Sequence, residues 1–195
     1  MNFMIKAILM DYAGVVSDTG SLFNELKPFM NISPEELKDI YNVAKLGKIS
    51  NEEYMSHCSK EGWEWYFKQT KFHNGIQDFF RENKLPVYLV SNHISKLVQS
   101  QIDLLNVRDK FKDIFISDKL GLAKPDKKIF DTVLKKINLK PSEVVFIDDQ
   151  KKNLTTPKEM GIPVIWVNNK TGFGTHGDVV PDAKIYDLSE LNELI

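Results

Sequence analysis

Apolar positions fall into two regimes along the chain. From Gly75 onward, short apolar runs alternate with stretches of helical spacing, the pattern of a parallel sheet whose crossovers lay helices on both faces. Ile5 to Met10 reads as the first buried strand. VYLV, ending at Ser91, reads as the second, DIFIS as the third, VVFI as the fourth and IPVIWV as the fifth. Between them, IQDFFRENK has helical spacing after Gly75. Ile94, Leu97, Val98, Ile102 and Leu105 share one helical face, and Ile129, Phe130, Val133, Leu134 and Ile137 share another. Pro125 suits the first position of the latter helix, and DLSELNELI closes the chain as a short helix with Asp187 as its cap.

Residues 18 to 72 follow a different rule, with helical patterns and no strand. Ser33-Pro34-Glu35-Glu36 is a helix start, with a capping serine, proline in the first turn and glutamate placed for a capping box. Gly47 marks that helix's end, Ser50 or Asn51 starts another, and Trp63, Trp65, Tyr66 and Phe67 supply bulk for packing. The expectation is an α/β fold, a Rossmann-like doubly wound parallel sheet built from 1–17 and 73–195. A small helical cap, 18–72, is inserted after its first strand.

Composition narrows the function classes. Of 195 residues, 42% are hydrophobic and 27% charged, the proportions of an ordinary globular chain. The 26 basic and 27 acidic residues are interspersed, so no broad basic face is offered to nucleic acid or anionic lipid. Neither partner is expected. A single cysteine, Cys58, excludes an internal disulfide framework, no apolar run reaches membrane-span length, and the start MNFMIKAILMD is too short for a signal peptide. A cytoplasmic protein is expected.

Candidate chemistry sits at strand ends. In an open parallel sheet, ligands gather beyond the carboxyl ends of strands, where Asp11, Ser91 and Asp148-Asp149 fall. Each alone reads as a turn former or helix cap. Together, three carboxylates collected at one edge call for a hard cation, with magnesium the natural candidate. Ser91-Asn92, placed where strand gives way to helix, could hold a phosphate oxygen, and Lys124 could add positive charge to the same anion. The competing reading of Lys124 is an exposed lysine, and that of Ser91 a simple helix cap.

Four stretches in this order, DYAGV (11–15), YLVSN (88–92), GLAKPDKKIF (121–130) and VVFIDD (144–149), resemble the motifs of the haloacid dehalogenase-like hydrolase superfamily. The resemblance covers nearly the whole chain and looks like the branch with a small helical cap. It implies that Asp11 is a nucleophile forming an aspartyl-phosphate that water hydrolyses. Ser91, Asn92 and Lys124 would hold the phosphoryl oxygens. Asp149, supported by Asp148, would bind Mg2+ with Asp11 and the backbone carbonyl of Ala13. The implied partner is a small phosphorylated metabolite.

One position departs from that pattern. Family phosphatases carry aspartate two residues after the nucleophile, as general acid and base, and here the residue is Ala13. General acid–base help is worth about 10²–10⁴-fold, so its loss slows ester chemistry without necessarily abolishing it. Three readings stay open: a Mg2+-dependent phosphatase, a C–P hydrolase resembling phosphonoacetaldehyde hydrolases with Lys45 or Lys48 forming a Schiff base, and an impaired phosphate- or metal-binding protein. Dehalogenation fits less well, since those relatives carry tyrosine in place of Ala13 and lack paired acids like Asp148-Asp149.

Other signals carry less. Gly172 to Gly177 spells G-x-G-x-x-G, but DVVPDAK follows instead of an amphipathic helix, so a surface loop is expected. His57, His73, His93 and His176 show no zinc-ligand spacing. His93, two residues after Ser91, is the first choice among them to replace the missing acid, against the plainer expectation of an exposed residue in a helix's first turn.

Overall fold

A computed structural model of the chain describes residues 4–18, 22–168 and 177–195. Six strands form one sheet among these residues: β1 (Ala7–Met10), β2 (Val87–Ser91), β3 (Asp113–Ile116), β4 (Val144–Asp148), β5 (Val164–Val167) and β6 (Ala183–Ile185). Their order is β3-β2-β1-β4-β5-β6, and every neighbouring pair is parallel. This is the expected doubly wound sheet with one strand added.

Alternation along the central strands explains the layers. Ile8, Met10, Val87, Leu89, Val145 and Ile147 belong to one apolar cluster, whereas Ala7, Leu9, Val90, Val144 and Phe146 belong to another. Successive side chains point to opposite faces, and both faces are covered, which is why these strands read as unbroken apolar runs. Helices α4 (Ile76–Glu82) and α5 (Ser95–Leu105) place Ile76, Phe79, Val98 and Ile102 in the first cluster. From α7 (Lys127–Ile137) and α8 (Lys151–Glu159), Ile129, Phe130, Val133, Leu134 and Leu154 enter the second.

Several boundaries move. Pro125 does not open α7: Asp126 is the N-cap, its side chain accepting from the Lys128 N–H at 2.9 Å, and the helix starts at Lys127. Helix α5 likewise starts at Ser95, so Ser91, the last residue of β2, and Asn92, on the loop after it, both precede the helix and do not form its N-terminus. The short helix α6 (Ser117–Leu120) and β6 were not foreseen, and the terminal helix splits into a 3₁₀ turn (Leu188–Glu190) and α9 (Leu191–Leu194) beneath an Asp187 capping box.

Residues between β1 and α4 fold into a 3₁₀ segment (Leu22–Phe29) and three helices, α1 (Pro34–Ala44), α2 (Asn51–Met55) and α3 (Lys60–Lys68). Ser33 and Glu36 form the reciprocal capping box of α1, and Ser50 caps α2. The chain departs from and returns to the sheet at adjacent points. An antiparallel bridge joins Ser17 to Phe72, the Asp18 N–H donates to Lys71 O at 3.0 Å, and the His73 N–H donates to Val16 O at 3.0 Å.

This insert does not build its core alone. Leu26, Leu37, Ala44, Tyr54, Cys58, Trp63 and Tyr66 cluster with Ile94 and Leu97 beside and on α5. Polar contacts close the same joint. Asn51 Nδ2 donates to Asp118 Oδ2 at 3.1 Å, and Asn51 Oδ1 accepts from the Lys96 N–H at 2.8 Å. The Ser95 hydroxyl donates to Asp118 Oδ2 at 2.7 Å. Gly47, at φ +68°, lies so close that a Cβ there would stand 2.2 Å from the Asp118 carbonyl oxygen.

Candidate active site

The site grows from the centre of the sheet. β1 and β4 are neighbours, with Met10 opposite Ile147, and the Asp11 N–H donates to Ile147 O at 2.9 Å. Connections from these two strands run to opposite faces, so the chain opens a crevice at their carboxyl ends, the switch point of an order-reversing sheet. Asp11 follows β1, Asp148 ends β4 and Asp149 comes next. Ligand oxygens from all three lie within 4.8 Å of one another, on residues 5%, 0% and 5% exposed.

Lys124 comes to this cluster from the loop before α7. Its Nζ stands 2.9 Å from Asp11 Oδ1 and 2.7 Å from Asp148 Oδ2, and the residue is buried, so the exposed-lysine reading fails. Burial pulls the Lys124 ammonium down, but Asp11 and Asp148 outweigh it and hold its pKa above the ordinary lysine value. For Asp148, desolvation pushes the carboxyl up, to about 6, against the pull of Lys124. One buried cation thus faces three carboxylates, leaving an excess of negative charge that a divalent cation would balance.

The Asn92 side chain braces Lys124. Its Oδ1 accepts from the Lys124 N–H at 2.7 Å and its Nδ2 donates to Lys124 O at 2.7 Å. The amide pins the lysine's backbone, so any ligand contact from Asn92 falls to its main chain. Ser91, 1% exposed, ends β2 beside β1. His93 is buried too, overturning the expectation of an exposed first-turn residue. Its Nδ1 accepts from the Ile94 N–H at 2.8 Å, and desolvation lowers its pKa to about 4 despite Asp11 and Asp118. Neutral at pH 7, His93 is a poor stand-in for a missing acid.

The loop after Asp11 is tight. Tyr12 O accepts from the N–H groups of Val15, Val16 and Ser17 at 3.3, 2.8 and 3.0 Å, and Gly14, at φ +81°, donates its N–H to Ser17 O at 2.7 Å. These bonds do not engage the Ala13 carbonyl. The Tyr12 N–H donates to Asp11 Oδ1 at 2.7 Å, so that oxygen is held by two donors.

Residues that sequence reasoning passed over hold the acids in place. Gln150 N–H donates to Asp148 Oδ1 at 2.7 Å, and Asn153 Nδ2 reaches both Asp148 oxygens, at 3.2 and 3.1 Å. Trp166 Nε1 donates to Asp149 O at 2.9 Å across the β4–β5 pair, with Lys151 Nζ 4.4 Å from its ring centroid. Only the burial of a tryptophan in β5, whose N–H must find an acceptor, could have signalled this. From the insert, the Tyr41 hydroxyl donates to Asn92 O at 2.9 Å, and its ring meets His93 edge-on at 5.6 Å. Lys45 Nζ lies 5.6 Å from the Tyr41 ring centroid, whereas Lys48 is an exposed residue beyond α1. Gly172 to His176 lie outside the described residues.

The donor set fits a hard divalent ion: carboxylate oxygens only, buried and convergent. Asp11 and Asp149 could serve as direct ligands. Asp148, committed to Lys124, Gln150 and Asn153, is better placed to support them.

Comparison with known proteins places this geometry. Residues 19–167 match the family described as haloacid dehalogenase-like hydrolase. The chain is 28% identical over 153 residues to haloacid dehalogenase-like hydrolase domain-containing protein 3 of Danio rerio, covering 78% of this chain but 61% of that protein's length. It is 24% identical over 194 residues to D-ribitol-5-phosphate phosphatase of Bacteroides thetaiotaomicron, covering 85% of this chain and 93% of the other. Among solved structures, L-2-haloacid dehalogenase from Xanthobacter autotrophicus shares the fold at TM-score 0.73 and 15% identity, covering 98% of both chains. The magnesium-bound HAD-hydrolase YfnB from Bacillus subtilis does so at 0.72 and 19%, covering 97% of this chain and 98% of its own.

Proposed function

The chain belongs to the haloacid dehalogenase-like hydrolase family, and from that premise we propose that it is a Mg2+-dependent phosphatase acting on a small phosphate ester, with residues 18–72 as a cap over the site. The observation that carries this reading is the convergence of Asp11, Asp148 and Asp149 within 4.8 Å, with Lys124 bridging two of them. An unmodified halocarboxylic acid would bring its own negative charge against these acids. A phosphate ester paired with a divalent cation resolves the excess instead. The phosphatase relative and the magnesium-bound neighbour support the same choice.

The residues divide the work as follows. Asp11 Oδ1 is fixed by the Tyr12 N–H and Lys124, which assigns the attack on phosphorus to Oδ2. An O–P bond forms to Asp11 as the ester O–P bond breaks, and the leaving oxygen takes its proton from solvent, since Ala13 has none to give. Water then attacks the aspartyl-phosphate, releasing phosphate and restoring the carboxylate. Lys124 and the Ser91 hydroxyl hold the phosphoryl oxygens, with the Asn92 main chain beside them. Bound by Asp11, Asp149 and the Ala13 carbonyl, Mg2+ would offset the repulsion between the carboxylate and the phosphoryl group.

A panel of phosphate esters assayed with Mg2+ or chelator tests this. Turnover should need Mg2+, fall at least 10³-fold in Asp11→Asn, and rise in Ala13→Asp by part of the 10²–10⁴-fold that acid–base catalysis supplies, so roughly tenfold or more. A wild-type protein without turnover on any ester, beside an active Ala13→Asp variant, would establish an impaired site instead.

A further inference from the structure

Lys124 brings positive charge to the crevice from a stretch between α6 and α7 that is neither helix nor strand. Its backbone N–H and C=O are both bonded to the side-chain amide of Asn92, at 2.7 Å each. The seat of the ammonium between Asp11 and Asp148 therefore depends on where Asn92 is held.

Asn92 is itself a loop residue, between β2 and α5, and its carbonyl accepts from the Tyr41 hydroxyl at 2.9 Å. Tyr41 belongs to α1 of the insert, so this bond runs from the insert to the residue that braces Lys124. The other polar joint, through Asn51, engages Asp118 and the first turn of α5 instead. Packing fixes the Tyr41 ring, which meets His93 edge-on at 5.6 Å and Tyr54 at 5.9 Å. Tyr54 supplies a contrast: it is buried in the same cluster, and its hydroxyl has no hydrogen-bond partner among the described residues. Of these two phenols, only that of Tyr41 is linked to the brace. Burial raises the Tyr41 pKa above the ordinary phenol value, so the hydroxyl stays a donor and is poorly suited to supply the proton that Ala13 lacks.

We infer that Tyr41 is a positioning residue: its hydroxyl, acting through Asn92, seats Lys124 for the phosphoryl group when the insert is docked on the sheet. The inference rests on the phosphatase reading for the group that Lys124 meets. Reacting groups work only when held close to the productive geometry, and a misplacement of about 1 Å can cost about 10²-fold. Loss of the Tyr41 bond frees the Asn92 carbonyl, and the amide that clamps Lys124 moves with it. Catalytic competence is thereby tied to the position of the insert.

Tyr41→Phe keeps the ring and drops the bond. On the best ester of a panel assayed with Mg2+, it should lower kcat about tenfold or more and change KM less than about threefold. Tyr54→Phe, which removes a hydroxyl from the same cluster, should stay within about twofold of wild type in both constants. Asn92→Ala breaks the link to Lys124 itself and should lower kcat about 10²-fold. Adding Tyr41→Phe to it should then cost less than about twofold, since the hydroxyl has nothing left to position. Full additivity, a loss confined to KM, an equal loss in Tyr54→Phe, or a wild-type kcat in Tyr41→Phe would overturn the assignment. If Asn92→Ala does not fold, Asn92→Ser replaces it, and the contrast between Tyr41→Phe and Tyr54→Phe decides in either case. If wild type hydrolyses no ester, the phosphatase reading fails separately. Calorimetric affinities for orthovanadate with Mg2+ across the same variants then decide by the same pattern of losses, and a wild type that binds no orthovanadate would overturn the positioning role as well.

Discussion

His93 lies two residues beyond Ser91, with Nδ1 accepting from the Ile94 N–H and its pKa lowered to about 4 by burial. The native ring is therefore neutral over a range where the unfolded chain's histidine, near 6.5, takes up a proton. Stability from this group is complete above pH 6.5 and is lost as pH falls from there toward 4, by about 3 kcal/mol in full. His93→Asn keeps an acceptor for Ile94 but cannot titrate. Urea unfolding between pH 7 and 4 should show a shallower decline for the variant than for wild type; parallel curves would refute the assignment. Lys124 presents the opposite case, a buried cation between two carboxylates. Lys124→Met should abolish turnover and cost about 3–5 kcal/mol, because Asp11 and Asp148 are then left buried and unneutralised. Mg2+ should restore part of that stability and none of the activity, which a urea titration with and without the ion would measure.

At the scale of elements, the question is how firmly the insert is joined to the sheet. Ile94 and Leu97 enter the insert's own cluster, and Asn51 spans Asp118 and the first turn of α5, so the two parts share apolar and polar contacts at one joint. Gly47 is the tightest point. A side chain there meets the Asp118 carbonyl and must also adopt φ +68°. Gly47→Ala should destabilise by roughly 1–3 kcal/mol and speed hydrogen exchange in α1 and α2 more than in α7, whereas a uniform change would argue against a local joint. None of this joint was legible in the sequence, because Asn51, Ser95 and Asp118 carry no shared pattern and meet only once α5 and β3 are in place. The helices themselves were legible: Ser33 to Glu36 states a capping box locally. Central strands showed as apolar runs because both faces are covered, while β6, three residues with an exposed lysine at its centre, offered no run to find. The strand-end positions of Asp11 and Asp148-Asp149 followed from the parallel-sheet reading. What Asn92 and Trp166 do did not, since each acts through a backbone atom of a residue distant in the chain.

For the whole molecule, 26 basic and 27 acidic residues nearly cancel, so its long-range field is weak and the excess negative charge is local to the crevice. A divalent cation bound there should stabilise the fold by mass action, about 2.7 kcal/mol at a hundredfold excess over its dissociation constant, since the unfolded chain does not hold the three acids together. Monovalent salt at matched ionic strength acts only on diffuse charge and should do much less. Urea midpoints measured across a Mg2+ titration, with sodium chloride as the control, separate the two effects, and equal shifts from both salts would remove the metal from this site. Variants locate the ion within the site. Asp149→Asn should abolish the Mg2+-dependent shift. Trp166→Phe, which keeps the ring between β5 and α8 but drops the N–H that holds the Asp149 carbonyl at 2.9 Å, should leave the metal-free midpoint close to wild type and move the titration about tenfold to higher Mg2+. The reading needs no turnover, so a Mg2+ response that depends on Asp149 and weakens with Trp166→Phe would support a metal site at the β1–β4 crevice even in a chain whose Ala13 leaves catalysis slow.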